Sequence, residues 1–93
     1  MIRVVRVSDE GDKEVTEEQG EMNAARLCEI VGGDFEVIKL AHGAVAIQNR
    51  QGEEQGLVAW SIRTRTETDW PVDLQMFGTV VLVDRDEAKI LLA

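Results

Sequence analysis

Thr16-Glu17-Glu18-Gln19-Gly20-Glu21-Met22-Asn23-Ala24-Ala25-Arg26-Leu27-Cys28-Glu29-Ile30-Val31-Gly32-Gly33 is the stretch on which the fold turns. Ala24, Leu27, Cys28 and Val31 fall at i, i+3, i+4 and i+7, with Ile30 beside them, so its second half carries one apolar stripe at helical spacing. Thr16 has Gln19 three residues on, the spacing of a capping box, and Glu17, Glu18 and Glu21 near that end suit the positive end of a helix dipole. Gly32-Gly33 stops the run, because glycine takes the left-handed cap conformation at little cost. The stretch predicts a helix from Thr16 to Val31.

Outward from that helix the chain reads as strands. Met1 to Val7 alternates, with Ile2, Val4 and Arg6 on one face and Arg3, Val5 and Val7 on the other; both faces are partly apolar, which suits a central strand. Ser8 to Val15 has the composition of a solvated connection. Phe35 to Leu40 and Ala44 to Gln48 are short β-rich runs joined by Ala41-His42-Gly43, which reads as a hairpin. Asn49-Arg50-Gln51-Gly52 signals the next turn, Gly56 to Arg65 another strand, and Thr66 to Gln75, with Pro71 inside it, an irregular excursion. Gly78 to Val83 is the clearest strand, and the tail from Asp84 is open between a strand and a helical turn. The expected class is α+β in β-α-β-β-β order, one helix packed on a mostly antiparallel sheet.

Ninety-three residues suit a single domain over 1–93, and 44% hydrophobic with 30% charged residues leaves enough apolar surface for a core. No apolar run approaches the ~20 residues that cross a bilayer, and the chain opens on a strand pattern instead of a leader, so a cytoplasmic protein away from membranes is expected. Cys28 is the sole cysteine, which rules out an internal disulfide and a thiol-rich metal site; on the apolar stripe it reads as a small hydrophobe.

Charge is the strongest functional pointer. Residues 8–36 hold ten acidic side chains against Lys13 and Arg26, which is 2 − 10 = −8, the whole formal net charge of the chain. Such a field attracts basic partners and repels nucleic acid. Asp9, Glu10, Asp12 and Glu14 in the connection, with Glu17, Glu18 and Glu21 on the helix, form the candidate binding surface. Trp60 and Trp70 join them as interface anchors, since tryptophan is enriched at binding hot spots, with core use the competing reading.

The blocks Val31-Gly32-Gly33 followed by Phe35-Glu36-Val37, then Asn49-Arg50-Gln51-Gly52, then Gly78-Thr79-Val80 resemble, in the same order, a domain-of-unknown-function family of small phage and mobile-element proteins. The likeness departs after Gly56-Leu57, where such proteins show a proline and an asparagine and this chain has Val58-Ala59-Trp60-Ser61. The resemblance implies the fold and a viral or plasmid setting, and it brings no catalytic residue with it.

Other candidates are weaker. His42 sits in a hairpin turn with no second histidine or cysteine in range, the usual place of a turn residue and not of a metal ligand. Asp9, Asp12 and Glu14 around Gly11 lack the ligand alternation and terminal glutamate of a calcium loop. Arg63 and Arg65 are few for a nucleic-acid surface on an acidic protein. No arrangement supplies an activated nucleophile, so no cofactor, metal or enzymatic activity is expected. The function expected is that of a phage or mobile-element accessory protein whose acidic helix and loop bind a basic host or phage protein, in the sharpest version as a DNA mimic against host defence. The alternative is a structural module that self-associates into a homo-oligomer through strand edges and the Trp60 to Phe77 segment, its acidic face merely solvated.

Overall fold

In the computed structural model, which describes residues 2–19 and 22–91, the chain forms seven strands and two helices. They are β1 (Ile2–Val7), β2 (Lys13–Glu18), α1 (Ala24–Val31), β3 (Phe35–Lys39), β4 (Val45–Asn49), β5 (Ala59–Arg65), β6 (Pro71–Phe77), β7 (Val80–Val83) and α2 (Arg85–Leu91), with a 3-10 turn at Ala41–Gly43. The expected class holds: the protein is α+β, with a helix packed on a mostly antiparallel sheet. Five strands form that sheet in the order β2-β1-β7-β4-β3, every neighbour antiparallel, and β5 and β6 form a separate two-stranded ribbon.

Side-chain alternation sorts the sheet into two apolar faces. Ile2, Val4, Val45, Ile47, Val81 and Val83 turn toward the helices and close on Leu27, Val31 and Ala88. Ala46 and Val80 turn the other way and meet Met76, with Trp60, Ile62 and Leu74 of the ribbon packed around them. The molecule is thus three layers, helices on sheet on ribbon. Nearly continuous apolar character in β4 and β7 follows from burial on both faces.

The first half of the expected helix is a strand. Thr16 does not cap a helix; with Lys13, Glu14, Val15, Glu17 and Glu18 it forms β2, an edge strand paired to β1. The register explains why: Glu17 stands opposite Arg3, Arg6 reaches Thr16 Oγ1 at 2.9 Å and Glu18 at 3.8 Å on the facing strand, and the β-branched Val15 and Thr16 suit a pleated surface. α1 starts eight residues later, capped by Asn23, whose Oδ1 accepts from the Arg26 amide at 2.9 Å. Its expected end at Gly32 holds, with φ of 84° and the Gly32 amide bonded to the Cys28 carbonyl at 2.9 Å.

The irregular excursion is also corrected. Pro71 opens β6, a position on the edge of a two-stranded ribbon where a missing N–H costs little. Val72, Leu74 and Met76 then alternate inward against the sheet. The tail resolves to a helix, α2, which buries Ala88. Element order therefore exceeds β-α-β-β-β by three strands, β2 and the two of the ribbon, and by α2.

Three glycine-bearing turns lock together beside α1. Asn49, 3% exposed, donates from Nδ2 to the Val31 carbonyl and to Gln55 Oε1, each at 3.2 Å, while its Oδ1 accepts from the Gln51 amide at 2.8 Å. Gly78, at φ 73°, lies under Leu57 and offers its carbonyl to Trp60 Nε1 at 2.8 Å. The turns at Gly32-Gly33, Asn49 to Gly52 and Gly78 are thus structural neighbours.

Candidate functional site

Antiparallel register brings Val7, Lys13, Phe35, Asn49 and Val80 to one end of the sheet. The connections that leave there are residues 8–12, 32–34, 50–58 and 78–79, and they converge: Asp9, Gly32, Gly56 and Thr79 line one shallow cleft of about 340 Å³. Asp9, Glu10, Asp12 and Glu14 come from the first hairpin, Asp34 from the turn after α1, and Glu53 and Glu54 from the turn after β4. All seven are exposed, and none forms an ion pair with another described residue. Arg6, Lys13 and Arg50 bring positive charge to this end; Arg6 is engaged by Thr16 and Glu18, and Lys13 is turned aside, its Nζ 5.3 Å from the centre of the Trp60 ring.

The remaining acidic candidates are placed differently. Glu17 is exposed on the ribbon side of β2, and Glu18 lies on the helix side, 3.8 Å from an Arg6 nitrogen and 3.4 Å from one of Arg26. Glu18 is thereby neutralised within the fold, a correction to its place on an outward acidic helix. Glu21 lies outside the described residues. The acidic surface is therefore a loop cluster at one end of the sheet, with no helical component among the described residues. Sequence reasoning missed Asp34, Glu53 and Glu54, which are remote in the chain and join the others only through strand order.

The two tryptophans separate. Trp60 is half-buried between the sheet and Lys13, with its N–H satisfied by Gly78, so its surface is spent inside the molecule. Trp70 projects from the β5–β6 connection at 73% exposure. The apolar residues of the Trp60 to Phe77 segment pack on the protein's own sheet, which leaves β2 and β3 as the sheet edges. Arg63 is held by Asp73 in a two-pronged pair at 2.9 and 3.0 Å; that hydrogen bond and the charges behind it keep the Asp73 carboxyl below its ordinary range.

Cys28 is half-buried on α1. Among the described residues no group of three or more His, Cys, Asp or Glu side chains is arranged to hold a metal ion, and no helix is long and apolar enough to cross a membrane. Comparison with protein-family models, with curated proteins and with solved structures finds no match to this chain.

Proposed function

We propose that the protein is a non-enzymatic binder of a basic protein surface, engaged through the acidic end of the sheet. The observation that supports this is the gathering of seven carboxylates without an ion pair at one end of the sheet, Asp9, Glu10, Asp12, Asp34, Glu53 and Glu54 from three connections and Glu14 from the start of β2. Solvation alone asks for scattered charge of both signs, because like charges held close repel one another. Concentrated on short loops anchored by β1, β2 and β4, they offer a fixed pattern of anionic oxygens at little ordering cost to a cationic cleft. A surface that binds duplex phosphates is such a cleft, so the proposed occupant is a host or phage protein that carries one.

The test is capture from host lysate on the immobilised protein, eluted with salt and then with duplex DNA. A captured basic protein should leave as salt screens the contact, within roughly 0.15–0.5 M, and duplex DNA should displace it. The variant D9K/E10K/D12K/E53K/E54K should lose it, with its far-UV spectrum unchanged, whereas E18K should keep it. Equal capture by the five-site variant would reject this surface, and a homo-oligomer without captured partner would favour self-association through the β2 or β3 edge.

A further inference from the structure

We propose that the opposite end of the molecule holds a binding site for a small organic phosphate, an anionic head on a compact apolar body. A cleft of about 620 Å³ opens between the 3-10 turn, α2 and the β5–β6 connection, a size that suits a small-molecule ligand. Leu40, Ala44, Val45 and Ala88 make its apolar floor, and Leu40, Val45 and Ala88 are themselves buried. Lys39, Arg85 and Lys89 bring positive charge to the rim from two elements, with His42 beside them, while Glu67 in the lining and Asp69 beside His42 bring negative charge. This is a concentration of cations on a chain whose net charge is −8.

Those cations are available. Lys39 and Lys89 form no ion pair with another described residue, and Arg85 has only its neighbour Asp86 at 3.6 Å, both side chains exposed. Gly43 lets Arg85 lie close against the turn: a Cβ there would meet Arg85 Cγ at 2.6 Å, so any larger residue would shift the arginine stem. Among the described residues, the two non-glycine positions with left-handed backbone, His42 at φ 60° and Asp69 at φ 61°, face each other at this mouth, His42 Nε2 lying 3.9 Å from Asp69 Oδ1. Strained backbone is kept where surrounding structure holds it, and such residues gather at ligand sites. Glu67, on the wall opposite α2, repels a second negative charge, so the head is directed toward Lys39, Arg85 and Lys89 and the body toward the floor.

Phenyl phosphate is the probe, with inorganic phosphate and phenol as its separate halves, followed by amide NMR shifts on the whole protein. Saturable shifts are expected at 39–45 and 85–89, with phenyl phosphate about tenfold tighter than inorganic phosphate and no saturation by phenol. K39E/K89E should keep the dispersed spectrum and lose at least about tenfold in affinity. Shifts that do not saturate by ~20 mM, that centre elsewhere, or that persist in K39E/K89E would overturn the site. Inorganic phosphate binding as tightly as phenyl phosphate would overturn the apolar half. Charge reversal at the acidic end should leave this titration unchanged, so failure here and failure of partner capture are separate results.

Discussion

Replacing Asn49 with alanine removes three hydrogen bonds from a side chain that is only 3% exposed. The bond to Gln55 costs little, because an exposed glutamine finds water instead. The Val31 carbonyl, at the end of α1, and the Gln51 amide are left short of partners where water enters poorly; at ~1 kcal/mol each, plus the space the amide filled, the loss is about 2–3 kcal/mol. A chain of this length has roughly 5–14 kcal/mol to lose. Urea unfolding followed by tryptophan fluorescence should show a midpoint lower by about 2 M, at an unchanged slope near 1 kcal/mol per molar. Aspartate is the sharper probe. Asn49→Asp keeps the acceptor for Gln51 but sets an oxygen where Nδ2 faced the Val31 carbonyl at 3.2 Å, so at neutral pH it should cost more than alanine. Acidification should narrow that gap, because a protonated carboxyl can donate again. An alanine cost below ~1 kcal/mol, or an aspartate milder than alanine, would refute the linkage of α1 to the β4 turn.

Three further outcomes follow from the same structure. Met76→Ala empties a fully buried position between ribbon and sheet and should cost about 2–4 kcal/mol in urea unfolding; a cost near zero would mean the ribbon does not dock as described. Glu18→Lys sets a third cation beside Arg6 and Arg26 and should destabilise by about 1 kcal/mol, less in 1 M salt, with an unchanged midpoint speaking against β2 as a paired strand. Asp73→Asn should lower the urea midpoint slightly at pH 7. The folded-state pKa of Asp73 is depressed by Arg63, so its contribution is present above the unfolded value of about 3.9 and lost as pH falls through the folded one. Wild type and variant should therefore converge on acidification, and a gap that widens instead would contradict the pairing.

Much of this fold is legible in the chain because its strands advertise themselves locally. β1, β3, β4 and β7 fall where alternation and β-branched runs place them, and Ala41-His42-Gly43 joins β3 to β4 as its composition suggests. β2 is illegible to local reading for a definite reason. Thr16 and Gln19 imitate a capping box, and a glutamate run is as much at home in a helix's first turn as on an edge strand opposite arginines. The available signal is non-local: Arg3 and Arg6 match Glu17 and Glu14 in antiparallel order about Glu10, and Asn23, three residues before Arg26, is the better cap. Pro71 hides β6 in the same way, since a strand breaker is harmless at the first residue of an edge strand while Val72, Leu74 and Met76 keep their alternation. Asp9, Glu10, Asp12 and Glu14 show their charge in sequence, but their meeting with Asp34, Glu53 and Glu54 depends on β1 and β4 flanking β7, which no local pattern encodes.

That strand order also divides the molecule's charge. Pairing within the fold removes Glu18 from the acidic surface, while one end keeps seven carboxylates without an ion pair, Asp9, Glu10, Asp12, Asp34, Glu53 and Glu54 on loops and Glu14 at the start of β2, and the other end keeps Lys39 and Lys89 unpaired among the described residues. Strands of six residues hold the two ends about 20 Å apart, more than two screening lengths at physiological ionic strength. Each end therefore acts on its own neighbourhood: a basic protein approaching the loops feels little of the distant lysines, and a phosphate entering the cleft feels little of the distant carboxylates. At low salt that independence fails, since a screening length of ~30 Å at 0.01 M spans the molecule. Lowering the salt should then strengthen capture at the acidic end more steeply than phosphate binding at the cleft, because the net charge of −8 assists the first and opposes the second.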